Sequence, residues 1–203
     1  MTYGGDALGR LDGKAVFVRG GIAGELVRAE IIEDRGHFAR ARVIEVLEPS
    51  PDRVQPRCLH FGFESASCGG CTWQHIDYAA QLRFKTEIVR EQFRRIGRIR
   101  DAPVRETFPS PDVWAYRSHA QFSVASDGRL GFQAARSNRI VPIDVCYVVQ
   151  PPILEWLRSS TPAVLDMRST LAMNSDKGFL KCVSSSVLAA PTISAGIFMQ
   201  TWA

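Results

Sequence analysis

The segment "CGGCTWQHIDYAAQLRFKTEIVREQFRRIG", residues 68–97, joins a compact cysteine motif to the clearest helical pattern of the chain. A further cysteine, Cys58, lies upstream, so three of the five cysteines fall within fourteen residues. Two cysteines separated by two residues can hold one metal centre from a single turn, and the intervening glycines let the loop bend around the sulfur atoms. The motif therefore indicates a metal-binding loop that leads into a helix.

The composition sets the class of protein. The chain has 203 residues, of which 45% are hydrophobic, as expected for a soluble globular protein of one large or two small domains. No apolar run approaches the ~18 residues that a membrane helix needs, and the first residues do not resemble a signal peptide. We therefore expect a cytoplasmic protein without a membrane partner. In that reducing compartment, an odd number of clustered cysteines favours metal ligation over disulfides.

The charge is concentrated in one segment. The net charge is only +4, but residues 77–100 contain seven basic residues against three acidic ones. Such a basic face is typical of a surface that binds a polyanion such as nucleic acid. A solvated amphipathic helix with interleaved Glu and Arg explains the same pattern, and charge alone leaves both interpretations open.

Residues 1–57 show the pattern of short β-strands. The runs at residues 14–18, 26–33 and 38–48 are rich in β-branched residues, and glycine-containing turns separate them. In the third run, Ala39, Ala41 and Val43 alternate with arginines, which predicts one buried face and one exposed face. Because short antiparallel strands in so small a unit must close on themselves to bury a core, we expect a small barrel of the OB type.

A helix and a second group of strands follow. Asp77 is a suitable N-cap, and Gly97 is expected to end the helix. The predicted apolar stripe of this helix consists of Tyr78, Leu82, Val89, Phe93 and Ile96. Residues 114–149 are expected to form an antiparallel meander, because Asp127-Gly128 between two alternating runs favours a hairpin.

The fourth metal ligand can be drawn from two residues. His75 would complete a C-x9-C-x2-C-x3-H pattern, which approaches the spacing of small RNA-binding zinc fingers. Cys146 would instead give four thiolates, the usual ligand set of a 4Fe-4S cluster. The residues alone leave three alternatives open, because Cys146 can also be a core residue and His75 can cap the following helix.

Residues 57–97 resemble the iron-sulfur segment of the RNA (uracil-5-)-methyltransferase family. The resemblance is carried by a cysteine, a spacer, the CGGC element and a run in which Gln74, His75, Tyr78, Gln81, Leu82 and Lys85 match in order. The family's fourth cluster cysteine follows a "VPID" stretch, as Cys146 does here. Residues 4–31 resemble the family's TRAM domain, an RNA-binding barrel. The resemblance implies a 4Fe-4S cluster held by Cys58, Cys68, Cys71 and Cys146.

The resemblance also implies an activity. Members of the family methylate C5 of a uracil in ribosomal or transfer RNA: a cysteine thiolate adds to C6, and the methyl group comes from S-adenosylmethionine. In the family, the nucleophile, the base and the S-adenosylmethionine site belong to a C-terminal Rossmann-like domain. We expect this chain to end before that domain, with residues 169–192 departing from the family pattern. No catalytic residue is therefore assigned, and Cys182 lacks the context of the nucleophile.

The expected fold class is α+β: an N-terminal OB-like β-barrel of the TRAM type, followed by a helix and a mainly antiparallel β central domain. The expected domains are residues 1–57 and 58–203. The expected partner is structured RNA, bound by a monomer that is inactive alone, and the alternative is a stand-alone RNA-binding module with a structural 4Fe-4S or zinc site. Trp114 and Tyr116 are expected in the core. The residues predicted to contact RNA are Arg83, Lys85, Arg90, Arg94, Arg117, Arg139 and Gln200.

Overall fold

The computed structural model describes residues 1–159, which form a mixed α+β structure. The chain folds into two compact units. The first contains Met1–Arg57 and Thr72–Pro111, and the second contains Cys58–Cys71 and the described residues from Asp112 to residue 159. The segment that contains the predicted helix belongs to the same unit as the N-terminal strands. In the described part, no helix is both long and apolar enough to span a bilayer.

The first unit contains a four-stranded sheet. Its strands are β1 (Ala7–Leu11), β2 (Lys14–Arg19), β3 (Leu26–Asp34) and β4 (Phe38–Glu48), arranged in the order β1-β2-β4-β3. β2 and β4 are parallel, whereas the two outer pairs are antiparallel. Closure into the expected OB-like barrel is not confirmed, because β1 and β3 remain at opposite edges of the sheet within the described residues.

The alternation predicted for β4 is confirmed. Ala39 and Ala41 are buried, and they pack with Val16 of β2 into a small apolar core. Arg40 and Arg42 point to the other face, as the period of two along a strand requires. In the register of these parallel strands, Ala39 is paired with Val16 and Ala41 with Val18.

Helix α1 (Tyr78–Arg95) begins and ends as predicted. The carboxylate of Asp77 accepts a hydrogen bond from the backbone N–H of Ala79 at 2.9 Å. This bond satisfies one of the first-turn amides that have no partner inside the helix. Gly97 follows the C-terminal cap residue, Ile96.

The predicted apolar stripe of α1 is wrong in its C-terminal half. Val89, Phe93 and Ile96 are exposed, with Ile96 retaining 77% of its accessible surface. The buried positions are instead Ala80, Phe84 and Thr86 in the first half of the helix. Ala80 and Phe84 pack with Ile22 and Ile76, so the sheet's loops, and not the helical period alone, select the buried face.

The second unit contains the expected antiparallel meander. Its strands are β5 (Ser123–Val124), β6 (Leu130–Gln133) and β7 (Ile140–Pro142), in that order. The hairpin at Asp127-Gly128 is confirmed, and Gly128 adopts a positive φ of 85°, which a glycine accommodates without strain. Residues 151–159 are helical.

The core of the second unit is built around Phe122, Leu130 and Leu157, each about 1% exposed. Trp114 and Tyr116 are half-buried and pack against this core, which confirms their assignment as core residues. Three cysteines also pack against it, namely Cys68, Cys71 and Cys146. The apolar core thus fixes the surroundings of the cysteine loop.

Candidate functional site

The CGGC loop lies against strand β6 in the second unit. The backbone N–H of Cys68 donates to the carbonyl of His60 at 2.8 Å, and the N–H of Gly69 donates to the carbonyl of Gln133 at 2.9 Å. Cys68 and Ala134 form an antiparallel bridge. The loop is therefore held as a short extension of the β5-β6-β7 sheet, and its sulfur atoms have defined positions.

The two glycines of the loop have different roles. A Cβ atom on Gly69 would lie 2.7 Å from the backbone nitrogen of Ala135 and 2.8 Å from the carbonyl oxygen of Gln133, closer than van der Waals contact allows. Gly70 has more room, and its backbone N–H donates to the sulfur of Cys68 at 3.4 Å. Gly69 thus permits the loop to lie close to β6. Gly70 points its backbone N–H dipole at the sulfur of Cys68.

Four cysteines lie in this unit, and three of them, Cys68, Cys71 and Cys146, pack against its core. Burial raises the pKa of Cys68 to about 11; Cys71, Cys146 and Cys58, in that order, add electrostatic repulsion, while the N–H of Gly70 acts in the opposite direction. The four described cysteines form no disulfide. Because each thiolate would disfavour the ionisation of Cys68, a bound cation is the natural means of stabilising all four in the ionised form.

The thiols do not form a ready-made site for one ion. Among residues 1–159, no group of three or more His, Cys, Asp or Glu side chains has an arrangement that could hold a metal ion. A tetrahedral zinc ion binds each sulfur at ~2.3 Å, which brings the sulfurs to within about 4 Å of one another. A 4Fe-4S cluster requires no such approach, since each cysteine binds a different iron atom. Metal binding at these cysteines therefore stays a prediction.

His75, the alternative fourth ligand, lies in the interior of the first unit and is only 2% exposed. Burial, followed by the nearby charge of Arg53, lowers its pKa to about 4, while Glu25 and a backbone hydrogen bond at Gly21 act in the opposite direction. The ring is therefore neutral at physiological pH. These surroundings favour a core histidine, and the helix-capping role belongs to Asp77.

The arginines predicted on α1 lie at the surface of the first unit with intramolecular partners. Arg83 pairs with Asp52 at 2.7 Å, and Arg94 pairs with Glu91 at 2.6 Å. Arg90 donates to the carbonyl of Val104 at 3.2 Å. Surface ion pairs of this kind contribute little to stability, so these guanidinium groups can exchange their partners for phosphate at small cost. Lys85 is half-buried.

The predicted contacts of the second unit differ from one another. Arg117 is half-buried, and its guanidinium donates to the carbonyl of Gly70 at 3.1 Å. Its backbone also pairs with the segment at Val149, so Arg117 fastens the CGGC loop to that part of the unit. Arg139 is exposed in the β6-β7 turn. Gln200 and Cys182 lie outside the described residues.

The sequence interpretation missed an aromatic and basic cluster on the sheet of the first unit. The guanidinium carbon of Arg40 lies 5.8 Å from the ring centre of Phe17 and 5.7 Å from that of Phe38. Arg40 also lies 3.4 Å from the carboxylate of Glu33. The alternation of β4 places Arg40 on the face opposite the buried alanines. The parallel pairing of β2 with β4 puts Phe17 beside Arg40, and the sequence did not predict this pairing.

Comparison with known proteins gives a consistent picture. Residues 2–44 match the model of the TRAM domain. The chain is 37% identical over 158 residues to the 23S rRNA (uracil(1939)-C(5))-methyltransferase RlmD of Nitrosococcus oceani, covering 75% of this chain and 34% of that protein. It is 34% identical over 197 residues to an uncharacterised RNA methyltransferase of Caldanaerobacter subterraneus, covering 92% of this chain and 41% of that protein.

A solved structure is also similar. The tRNA (uracil-54, C5)-methyltransferase of Pyrococcus abyssi, crystallised with S-adenosyl-L-homocysteine, is 26% identical with a TM-score of 0.45, covering 83% of this chain and 35% of that one. The chain spans between a third and about two fifths of the length of these relatives. The protein contains a TRAM domain and is homologous to part of the RNA (uracil-C5) methyltransferases.

Proposed function

We propose that this chain is the RNA-binding and iron-sulfur portion of an S-adenosylmethionine-dependent RNA (uracil-5-)-methyltransferase that acts on structured ribosomal or transfer RNA. The observation that carries the proposal is that Cys68, Cys71 and Cys146 pack against one apolar core, in a chain whose residues 2–44 match the TRAM domain. The relatives named as 23S rRNA methyltransferases support the substrate class.

RNA binding is assigned to the first unit, through the sheet that matches the TRAM domain and through the basic residues of α1. A closed OB-like barrel would present its strands to RNA, and exposed arginines such as Arg90 and Arg94 would neutralise phosphates. Because phosphate contacts release counterions, the affinity is expected to fall steeply with salt concentration. Under this proposal the protein works as a monomer in the cytoplasm.

The cluster is assigned to Cys58, Cys68, Cys71 and Cys146. When bound, a 4Fe-4S cluster would supply a rigid cross-link, because four thiolates complete its coordination and leave no iron open to substrate. The CGGC loop is already hydrogen-bonded to β6, and Cys146 packs against the same core. The cluster would therefore stabilise the second unit, and the described residues carry no assigned step of methyl transfer.

A second function is favoured by the TRAM match at residues 2–44, which by itself requires only RNA binding. In that case the chain is a stand-alone RNA-binding module with a structural 4Fe-4S or zinc site. Methyl transfer from S-adenosylmethionine to uracil-containing RNA separates the functions. We expect no turnover from this chain alone, and turnover would contradict the assignment of a non-catalytic portion.

The metal assignment is tested by purifying the protein anaerobically and measuring iron, acid-labile sulfide and zinc. We expect about four iron atoms per chain, a brown colour and broad visible absorbance. Cys146→Ser should abolish the absorbance and lower the melting temperature, whereas Cys182→Ser serves as the matched control and should retain both. Stoichiometric zinc, or unchanged iron content in Cys146→Ser, would contradict the cluster.

The RNA assignment is tested by measuring affinity for a transcribed 23S rRNA fragment at several salt concentrations. Replacing Arg94 with alanine should weaken binding at low salt and reduce the slope of log K against log salt by about one. Arg129→Ala, which removes a cation paired with Asp127 in the second unit, is a control for lost positive charge. Identical slopes for wild type and Arg94→Ala would remove Arg94 from the interface.

A further inference from the structure

The second unit contains an open cleft beside the CGGC loop. Its volume is about 270 Å³, and it is lined by Gly69, Gly70, Gln121, Ser123, Phe132 and Gln133. This volume is just below the range of ~300–1,000 Å³ that is typical of small-molecule sites, and it suits one small planar group. Neither the cluster proposal nor the phosphate contacts use this cleft.

Strand register explains why polar side chains meet in the cleft. Ser123 is paired with Gly131, and continuing the same antiparallel register places Gln121 opposite Gln133. Since side chains alternate along a strand, Gln121 and Ser123 share one face, while Phe122 points into the core. Two amides and a hydroxyl therefore line the same side of a two-stranded ribbon.

The lining identifies the chemistry of the ligand. It contains no formal charge, so a phosphate or a carboxylate would gain no ion pair there. Each glutamine amide offers a donor and an acceptor side by side, which is the pattern that pairs with the edge of a nucleobase. Phe132 also lines the cleft, but its ring packs against Phe122 of the core with 4.9 Å between the ring centres, so the two amides carry the recognition of the base.

The surroundings of the cleft suit an RNA backbone. Gly69 and Gly70 have no side chains, so one wall is bare backbone that a nucleotide can approach closely. The β6-β7 turn begins immediately after Gln133 and carries Arg136 and Arg139, both of which are exposed. A phosphate next to a base in the cleft would therefore lie near positive charge.

We infer that this cleft binds one unpaired base of the RNA, whose edge is contacted by the amides of Gln121 and Gln133 next to the CGGC loop. The inference rests on the proposed RNA-binding function and adds to it a site for a single-stranded nucleotide. The cleft would contact a base, whereas the arginines on α1 would contact phosphates. Base contacts discriminate between unpaired and paired RNA, and phosphate contacts do not.

The test compares two RNA probes in fluorescence anisotropy with the full chain: a labelled ten-nucleotide single strand of mixed sequence and a blunt duplex of the same length. The variants are Gln121→Ala, Gln133→Ala and the control Gln55→Ala, which removes an exposed glutamine of the first unit. We expect the cleft variants to bind the single strand about 5- to 100-fold more weakly, the scale of losing contacts to one base. Duplex binding and the salt slope should be unchanged.

Three results would overturn the inference. If the cleft variants and Gln55→Ala bind the single strand with equal affinity, the base site is refuted, whereas the proposed RNA binding of the chain is not. A salt slope lowered by about one in Gln133→Ala would indicate a phosphate contact in its place. Failure of the wild-type chain to bind either probe would overturn RNA binding itself, and the base site with it. Circular dichroism melting of each variant verifies that the fold is retained.

Discussion

The first glycine of the CGGC loop offers a direct test of how the loop is held. Replacing Gly69 with alanine adds one methyl group that would lie 2.7 Å from the nitrogen and 2.9 Å from the Cα of Ala135, and 2.8 Å from the carbonyl oxygen of Gln133. All three are backbone atoms of β6 and its turn, so no rotamer change can relieve the contact. Gly70→Ala is the matched control, because its nearest neighbour would be the sulfur of Cys68 at 3.4 Å.

The expected cost follows from these distances. Overpacking by one methyl group costs about 1–3 kcal/mol. Moving the loop away also lengthens the hydrogen bond from Gly69 to Gln133, which contributes about 1 kcal/mol. Gly69→Ala should therefore lower the free energy of unfolding by about 2–4 kcal/mol. Neither glycine has a positive φ, so the difference between the two variants is steric and not conformational.

The assay is thermal unfolding followed by circular dichroism, together with visible absorbance of anaerobically purified protein. A loss of about 3 kcal/mol corresponds to a melting temperature lower by roughly 6–12 °C for a chain of this size. Gly70→Ala should melt within about 2 °C of wild type on the same scale. Equal melting temperatures for the two variants would refute the position of the loop against β6.

Two further predictions concern the first unit. The side chain of Glu25 is 1% exposed and pairs with Arg53 at 2.5 Å. Glu25→Gln should lower the free energy of unfolding by about 3 kcal/mol, because it leaves a largely buried guanidinium without its counter-charge. Urea unfolding measures this change, and a loss below about 1 kcal/mol would contradict the prediction. Burial acts to raise the pKa of Glu25, but hydrogen bonds from Arg53 and backbone N–H groups outweigh it, so the pKa is lower than 4.5 in the folded state. The resulting stability is present above pH 4.5 and is lost as the pH falls through the folded pKa, and a pH series should show this loss in wild type and not in Glu25→Gln. Trp73→Phe removes the hydrogen bond from the indole N–H to the carbonyl of Gly5 at 2.9 Å and should cost about 1 kcal/mol in urea unfolding, whereas an unchanged midpoint would show that this bond is not needed.

Local features of this protein were predictable because each depends on a few neighbouring residues. The cap at Asp77, the turn at Asp127-Gly128 and the buried alanines of β4 follow from backbone geometry and side-chain period. The CGGC spacing also identified the loop whose Cys68 and Cys71 pack against the same core as Cys146. The family motif supplied Cys146, since no local rule selects one distant cysteine as a partner.

Contacts between distant segments were decided only by the tertiary structure. The exposed end of α1 at Phe93 and Ile96 contradicts its helical period, because burial depends on what another segment places opposite. The contact of Arg117 with RNA stays a prediction, and the structure adds that its guanidinium donates to the carbonyl of Gly70, which the sequence did not indicate. The sequence by itself determined periodicity, turns and the spacing of the cysteine motif, whereas packing between segments far apart in the chain determined which faces are buried and where the polar cleft forms.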